Sequence, residues 1–537
     1  MPLATGKRLV LAPEDPARTV TIHSPGALMN LYDGRSKAQN GWFVVRSLLP
    51  AGKSGQVLEW SLSDQSDQDW VRPAVIAHSQ VGYHPQQKKT AVIELDPNDK
   101  TAARAQLYRV DATGRLDRVL SAAPVEWGRY TRYDYRIFDF SQITAEGIYL
   151  IEYGGQRTVP FRIATDVYEN IWHPTLDIYL PVQMDHVLVN EAYRVWHGAS
   201  HLDDALQAPV NHEHFDLYAQ GPTTDTPFQP GEHIPGLNIG GWYDAGDYDI
   251  RTQTQYAVVR NLVATWENFP SDRDTTSVDY SRNYVDLHVP DGKPDLLQQI
   301  EHGTLALVAQ FRAVGHAIPG IVAPDLGQYT HLGDGVTKTD NLIHDAEMGE
   351  LESDGFSSGV FDDRWAFTSF SSTLNFGSIA ALAAASRALK GYNDELAHES
   401  LQIAAKAWAE EQSREPIIFS HGNTTGGPLP VEQVNAALEL LVATGERKYA
   451  DEFLQHLPEI AAMFPHLAVQ AVRGMPHMDE SYREKIRQLT LAYRGQMDDA
   501  SRGNPFGVVI TEGGWAGNGS IIDTAIAHYY LHTAFPD

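Results

Sequence analysis

Residues 241–250 read GWYDAGDYDI and place Asp244 and Asp247 three positions apart among aromatic residues. Two carboxylates at this spacing can hold one water molecule from two sides, so that one orients it while the other accepts its proton. The flanking Trp and Tyr rings suit the apolar faces of a pyranose. Apolar residues at helical spacing follow, and they predict that the segment opens a helix whose N-terminal backbone N–H groups help to keep both carboxylates ionised.

The alternative interpretation is that Asp244 and Asp247 only cap this helix, as acidic residues at a helix start often do. Two glycines before the pair, one glycine inside it and three aromatic residues around it favour the catalytic interpretation. We therefore expect this segment to hold a water molecule against a sugar.

Size and composition limit the other classes of function. A chain of 537 residues exceeds what one hydrophobic core usually serves, so two or three domains are expected. The formal charge of −28 repels nucleic acid and anionic membrane surfaces, which favours a neutral ligand. The absence of cysteine excludes disulfides, thiolate metal sites and cysteine nucleophiles.

The sequence also bears on the compartment. No apolar run of about 18 residues occurs, so no membrane span is predicted. The first residues lack the apolar core of a secretion signal. We therefore expect a cytoplasmic protein, or a periplasmic or secreted one if a signal peptide has been removed.

The pattern of apolar residues differs between the two parts of the chain. Short alternating apolar runs between turn residues, from about 18 to 163, are typical of β-sandwiches. Strands are predicted at 20–22, 42–45, 91–95, 106–110 and 148–151, with a polar turn at 64–69 as a boundary between two β units. The predicted domains are a small β unit at 1–70, a β-sandwich at 71–165 and a helical domain at 166–537.

Helical periodicity dominates after Asp166. Helices are predicted near 166–190, 249–268, 294–314, 369–390, 394–413, 430–444, 447–464, 479–497 and 520–533. Because each amphipathic helix must bury its apolar stripe, these helices suggest a helical barrel or toroid with loops forming a cleft at one end. Two long stretches without clear periodicity, 193–240 and 314–365, are of a length that is usually functional.

Several separated segments carry a resemblance to one family: 78–85, 139–141, 147–149, 241–248, 294–297 and 503–505. With these segments the chain resembles glycoside hydrolase family 9, the inverting cellulase family, in the form preceded by an immunoglobulin-like domain. The resemblance implies a multidomain fold, with an N-terminal all-β immunoglobulin-like sandwich followed by an all-α (α/α)6 barrel with an open cleft for a β-linked glucan. It further implies Asp247 as general base and Asp244 as the second carboxylate on the nucleophilic water.

The chain departs from the family at the catalytic acid. Relatives carry a Glu at the start of the last helix, but Gly519 stands in that place here. Glu512 lies on the connection into the same helix near Trp515, and packing against an indole can raise the pKa of a carboxyl as a general acid requires. We therefore predict that Glu512 is the acid. The nearby Asp523 has the spacing of a capping box with Ser520, which favours a structural role.

The chain also differs from the family in a segment that contacts the substrate in relatives. The His-His-Arg loop of the family is absent, because only a dozen residues separate Pro505 from Asn518. This shortening suggests a changed substrate or an exo-acting cleft. The predicted substrate-binding residues are Trp242, Tyr243, Tyr248, His201, Arg364, Trp365 and Trp515, although Arg364 and Trp365 could equally be a surface ion-pair partner and a core residue.

Four histidines have spacing that could suit a metal: His197, His201, His212 and His214. Some relatives bind zinc near such a segment with Cys and His, but Ser200 stands where the Cys would be. A metal would then need His with Asp203 or Asp204. The alternative is that these histidines line a cleft loop. We expect no cofactor to be required for the chemistry, while a structural calcium or zinc ion stays open.

Three functions follow from these observations. The first is an inverting hydrolase of neutral β-glucan or its oligosaccharides, with no nucleic-acid partner. The second is a carbohydrate-binding protein on a hydrolase scaffold that has lost its acid, although the intact carboxylate pair argues against it. The third is a polysaccharide lyase, which the acidic charge disfavours because lyases act on uronates.

Overall fold

A computed structural model describes residues 1–16, 18–34, 42–64, 70–244, 248–269, 271–325, 339–419, 425–509 and 517–537. The chain divides into two compact units. The first comprises residues 1–80 and 85–163, and the second comprises 81–84 and 164–537. No helix in these ranges combines the length and the apolar character that crossing a membrane requires.

The first 64 residues of the first unit contribute two small antiparallel sheets. One consists of Ala4–Gly6, Met29–Asp33 and Phe43–Arg46, and the other of Arg8–Leu11, Val20–His23 and Ser61–Asp64. Their shared core is formed by Leu9, Ile22 and Met29, which are all buried. The strands predicted at 20–22 and 42–45 are confirmed. The turn predicted at 64–69 lies largely outside the described residues.

Two larger antiparallel sheets complete the first unit. The five-stranded sheet consists of Ala105–Val110, Leu116–Ala122, Gly147–Tyr153, Gln156–Arg157 and Phe161–Ile163, and the four-stranded sheet of Val75–Ala77, Thr90–Leu95, Val125–Tyr130 and Tyr133–Asp139. Along Thr90–Leu95, Ala91, Ile93 and Leu95 are buried while the residues between them are partly exposed. This alternation is what a strand with one buried face requires, and it confirms the strands predicted at 91–95, 106–110 and 148–151.

Helices form most of the core of the second unit. They span Thr252–Asn268, Asp295–Ala313, Ser372–Ala388, Asp394–Glu411, Leu429–Thr444, Arg447–Gln455, Leu457–Ala462, Phe464–Gly474, Glu480–Arg502 and Gly517–Ala534, with a short 3₁₀ turn at Met475–His477. The helix Ser372–Ala388 is buried on nearly all sides, which its small and apolar residues allow. The helices give the unit its main hydrophobic core; their closure into an (α/α)6 barrel stays a prediction.

Two helix predictions need correction, both at prolines, and one helix was missed. The helix predicted at 166–190 is wrong, because only Thr175–Tyr179 and Leu180–Val182 are helical there. Pro174 and Pro181 lack the N–H that a continuous helix needs. Pro458 likewise divides the helix predicted at 447–464, which stops at Gln455 and restarts at Leu457. The helix Phe464–Gly474 was not predicted as a separate element.

Short strands occupy much of the second unit that the sequence left without periodicity. One four-stranded sheet contains Leu188–Glu191, Arg194–His197, Thr276–Asp279 and Tyr284–Leu287, and another contains Leu206–Gln207, Ile250–Arg251, Gly320–Val322 and Trp365–Phe367. Two further pairs join His212–Glu213 to Ala219–Gln220 and Ile343–His344 to Ser357–Ser358. The second four-stranded sheet matters for function, since it brings the chain around Asp204, Arg251 and Arg364 together.

Candidate active site

The segment 240–244 is held in place by glycines and by buried polar contacts. Gly240 and Gly241 have φ values of 70° and 86°, which favour glycine. A Cβ at Gly240 would also lie 2.3 Å from the carbonyl oxygen of His302. The Trp242 N–H donates to Gln255 Oε1 at 2.9 Å, and its indole N–H donates to Gln299 Oε1 at 2.9 Å. These contacts therefore fix the backbone conformation just before Asp244.

A backbone hydrogen bond and an ion pair fix Asp244. The backbone N–H of Asp244 donates to the carbonyl oxygen of Asp249 at 2.9 Å. Asp247 lies between these two residues in sequence but falls outside the described residues. The Asp244 side chain is 22% exposed and lies with its Oδ2 atom 2.9 Å from Arg251 Nε. A partly buried carboxylate, held by a cation, is suited to orienting a polar group that enters from solvent.

Burial and neighbouring charge set the protonation of Asp244. Burial raises the pKa of Asp244, the negative charge of Asp249 raises it further, and Arg251 acts in the opposite direction. The Thr254 hydroxyl also favours the ionised form, whereas Asp216 disfavours it. The net effect is a raised pKa, so Asp244 needs Arg251 to stay ionised more than an exposed Asp would need a cation.

Arg251 joins two further carboxylates that the sequence analysis did not single out. Its Nε lies 2.9 Å from Asp249 Oδ2 and its Nη2 lies 3.2 Å from Asp216 Oδ2. The Tyr218 hydroxyl donates to Asp249 Oδ2 at 2.9 Å. The sequence signal was the Asp-x-Arg spacing directly after the carboxylate pair, but Asp216 lies 35 positions before Arg251 and its proximity required the fold.

The three aromatic residues of the motif are not sugar platforms in this structure. Trp242, Tyr243 and Tyr248 are only 4%, 3% and 3% exposed. A Cβ on Gly303 would collide with the Trp242 ring, and the rings of Tyr243 and Tyr248 meet edge to face at 4.5 Å. This burial leaves no free ring face, so the structure does not support the interpretation of these residues as sugar contacts. These three residues are part of the protein interior next to Asp244.

The other predicted substrate contacts separate into buried and accessible residues. His201 is 4% exposed, and its Nδ1 lies 3.6 Å from Asp185 Oδ1, so it also belongs to the interior. Trp365 is partly exposed, with its ring 5.0 Å from that of His212, and it keeps a surface that a ligand could meet. Trp515 lies outside the described residues.

Arg364 is a buried clamp and not an accessible substrate contact, which corrects the sequence-based interpretation. It has no exposed side-chain surface and pairs with the equally buried Asp185 and Asp204. Its Nη1 donates to the carbonyl oxygen of Tyr248. Although burial acts to raise the pKa values of both carboxyls, the Arg364 guanidinium holds them below the ordinary range. Arg364 thereby ties the end of the motif loop to two distant segments.

The same cluster tests whether a divalent metal would fit. Ligand atoms of Asp185, His186 and Asp204 lie within 4.8 Å of one another. However, Arg364 already supplies the compensating positive charge to both carboxylates. His186 uses Nδ1 at 2.9 Å from the Gly240 carbonyl oxygen and Nε2 at 2.9 Å from Asp204 Oδ2. The group is a satisfied ion network, so zinc or calcium does not fit there.

The four histidines named from the sequence do not converge either. Among the described residues, neither candidate group of three or more metal-ligating side chains includes any of them. The second such group is Asp203, Asp340 and Asp362, which offers only carboxylate oxygens. Oxygen donors of this kind suit calcium better than zinc. A metal held by these histidines with Asp203 or Asp204 therefore has no geometric support within the described ranges.

The C-terminal part of the candidate site is described up to Val509 and again from Gly517. Asn504 is buried, and its Oδ1 accepts from the backbone N–H groups of Phe506 and Val508. Glu512 and Trp515 lie between these stretches, outside the described residues. A Cβ at Gly519 would meet no atom of the described residues within 4 Å.

The predicted capping box of Ser520 and Asp523 is wrong. The last helix starts at Gly517, three residues before Ser520, and Asp523 is exposed within it. Ser520 instead offers its carbonyl oxygen to the Thr524 hydroxyl at 2.8 Å. Asp523 is therefore an exposed helix carboxylate.

Comparisons with known proteins agree with this organisation. Residues 181–500 match the family model described as glycosyl hydrolase family 9, and residues 72–158 match the cellulase N-terminal ig-like domain. Endoglucanase D of Acetivibrio thermocellus is 21% identical over 384 residues, which covers 70% of this chain and 52% of that protein. The chain thus spans about half the length of this curated relative.

Two solved structures are similar in fold. A metagenome-derived glycoside hydrolase family 9 endoglucanase superposes with a TM-score of 0.62 at 22% identity, covering 86% of this chain and 80% of that chain. AaCel9A in complex with cellobiose-like isofagomine gives a TM-score of 0.62 at 18% identity, covering 86% and 78%. At these identities the likeness shows a shared fold.

Proposed function

Because the chain belongs to glycosyl hydrolase family 9, we propose that it is a glycoside hydrolase that cleaves β-linked glucan or oligosaccharides derived from it. The observation that carries this proposal is the placement of Asp244. Its carboxylate is partly exposed and paired with Arg251, its backbone N–H donates to the Asp249 carbonyl oxygen, and it lies within the matched region. The negative charge of the chain further supports a neutral substrate.

The proposed mechanism inverts the anomeric centre. Asp247 acts as the general base and Asp244 as the second carboxylate that orients the attacking water. A carboxylic acid across the glycosidic bond protonates the leaving oxygen, at about 6.5 to 9.5 Å from the base in inverting enzymes. The pairing of the partly exposed Asp244 with Arg251 supports the role given to Asp244.

Glu512 is the proposed proton donor. The family position for the acid is occupied by Gly519, and Glu512 lies on the short connection that leads into the same helix. In this proposal Trp515, three residues further along the chain, contacts the sugar. The shortened segment between Pro505 and Asn518 supports an exo-acting cleft.

The fold proposal that accompanies this function has three domains, at 1–70, 71–165 and 166–537. The matches at 72–158 and 181–500 fall inside the second and third of these ranges. We propose that the helices of the third domain close into an (α/α)6 barrel. The chemistry is proposed to need no metal, and a structural calcium or zinc ion stays a prediction that elemental analysis of untagged protein would test.

A carbohydrate-binding protein is the second candidate, and the loss of the family acid at Gly519 is the observation that favours it. The two candidates differ in whether the carboxylate pair performs turnover. Binding of β-linked oligosaccharides without any hydrolysis that depends on Asp247 would support the second candidate over the first.

The discriminating experiment measures hydrolysis of cellobiose to cellopentaose and of mixed-linkage β-glucan. Asp247→Asn, Asp244→Asn and Glu512→Gln are each expected to lower kcat by at least about 100-fold, which is the lower range for a general acid or base. Asp523→Asn removes an exposed carboxylate on the last helix and serves as the matched control. Near-normal turnover by Asp247→Asn would refute the proposed mechanism, and near-normal turnover by Glu512→Gln would refute the assignment of the acid.

A further inference from the structure

We infer that Arg251 is a positioning residue of the hydrolytic site: held by Asp216 and Asp249, it fixes the Asp244 carboxylate in place. This inference rests on the proposed function, because it assigns Arg251 a role in presenting the water-orienting carboxylate. The name carboxylate clamp is used below for Arg251, Asp216, Asp244 and Asp249.

The clamp is built around one guanidinium. Arg251 Nε lies 2.9 Å from an oxygen of Asp244 and 2.9 Å from an oxygen of Asp249, while Nη2 reaches Asp216 at 3.2 Å. The Arg251 side chain is only 14% exposed, so solvent screens these pairs less than it screens surface pairs. Within the described part of the chain, Arg251 is the cation that pairs with Asp244.

The backbone of Arg251 is fixed on both sides. Arg251 pairs with Gly320 in the short strand Ile250–Arg251, and the next residue begins the helix Thr252–Asn268. A Cβ at Gly320 would lie 2.5 Å from the Tyr218 ring and 2.5 Å from the carbonyl oxygen of Ile250. Glycine at 320 therefore permits the close approach of Tyr218, which in turn donates its hydroxyl to Asp249.

The three acids that contact Arg251 have different roles. Asp249 has no exposed side-chain surface and receives both the Tyr218 hydroxyl and Arg251, so it anchors the guanidinium. Asp216 is 27% exposed and holds the far nitrogen. Arg251 is thereby held with its Nε 2.9 Å from Asp244, which is the member of the clamp that belongs to the proposed carboxylate pair.

The clamp has a consequence for pH. Among the described residues, the groups that face Asp244 are Asp249 and Arg251 after it in the chain, Asp216 and Tyr218 before it, and Thr254 in the following helix. Burial and Asp249 raise the pKa of Asp244, and Arg251 lowers it. Without Arg251 the pKa of Asp244 rises further, so the acid limb of kcat/KM moves to higher pH.

The test compares Arg251→Met, Arg251→Lys and the surface control Arg312→Met, which removes a half-exposed partner of Glu399. Arg251→Met is expected to lower kcat/KM at least tenfold near pH 6 and to move the acid limb up by about one pH unit or more, as loss of a neighbouring opposite charge does. Arg251→Lys keeps the positive charge, so the acid limb of its kcat/KM profile should lie close to that of the wild type. An unchanged limb in folded Arg251→Met would overturn the inference.

Asp216→Asn keeps the inference testable if Arg251→Met fails to fold. It removes a charge that raises the pKa of Asp244, so the acid limb should move to lower pH. A limb that stays in place or moves to higher pH would contradict the clamp.

A double-variant cycle tests the clamp without relying on activity. Thermal midpoints are measured for Arg251→Met, Asp244→Asn and the combined variant. If Arg251→Met does not fold, the cycle uses Asp216→Asn in its place. The two single shifts should not add in the combined variant, because the residues are in contact. Additive shifts would refute the clamp, whereas a wild type that hydrolyses no glycoside would refute the proposed function alone.

Discussion

Replacing Arg364 by Met should strongly destabilise the second unit. Met fills similar apolar space but leaves Asp185 and Asp204 buried without their cation, since all three side chains have no exposed surface. Breaking a buried ion pair on one side typically costs about 3 to 5 kcal/mol. With an unfolding entropy of about 2.1 cal/mol/K per residue for the roughly 380 residues of this unit, a loss of about 4 kcal/mol lowers Tm by about 5 °C.

The pH dependence of this loss follows from the same carboxylates. In the wild type the pKa values of Asp185 and Asp204 are lowered, so their contribution to the free energy of unfolding is complete above the unfolded pKa and is lost only at more acidic pH. In Arg364→Met burial is no longer opposed, and the pKa values rise above the unfolded value. Protonation then relieves the variant as pH falls, so its deficit should be smaller at pH 5 than at pH 8.

Differential scanning calorimetry at both pH values measures this deficit. Arg312→Met is the control, because its half-exposed pair with Glu399 should contribute only about 0 to 1 kcal/mol. A Tm for Arg364→Met within 1 °C of the wild type at pH 8, or an equal deficit at both pH values, would refute the assignment of Arg364 as a buried clamp.

Three other predictions concern packing, the acid and metals. Gly303→Ala should cost about 1 to 3 kcal/mol in unfolding experiments, because its Cβ would lie 2.3 Å from the Trp242 ring, whereas Gly495→Ala, which meets no atom within 4 Å, should cost nothing. Added to Glu512→Gln, Gly519→Glu should raise turnover at least tenfold, since its Cβ meets no atom of the described residues within 4 Å; no recovery would contradict the placement of position 519 beside the substrate. Dialysis against a chelator should leave kcat/KM within about twofold, because the proposed chemistry uses only carboxyl groups, and a tenfold loss would contradict this.

Local patterns predicted much of the regular structure. The alternation of Ala91, Ile93 and Leu95 is enough to identify a half-buried strand, and the apolar stripe after Arg251 is enough to identify the helix Thr252–Asn268. The prediction failed where proline interrupted an apolar pattern, as at Pro181 and Pro458. There the apolar periodicity continues although the backbone hydrogen bonding cannot.

The site was less predictable because its key contacts join distant parts of the chain. Arg364 pairs with Asp185 and Asp204, which lie 179 and 160 positions before it. The tyrosines and Trp242 of the motif looked suitable for sugar binding by residue type, but their burial depends on tertiary packing. Residue type alone therefore indicated which side chains matter and not which of them reach solvent.

The most direct test of the central claim is proton NMR of a fresh hydrolysate of cellotetraose, recorded for wild type and for Asp247→Asn. An inverting enzyme with Asp247 as its base should release the α-anomer first at the newly formed reducing end, and Asp247→Asn should release almost none. Initial release of the β-anomer, or equal release by Asp247→Asn, would contradict the account.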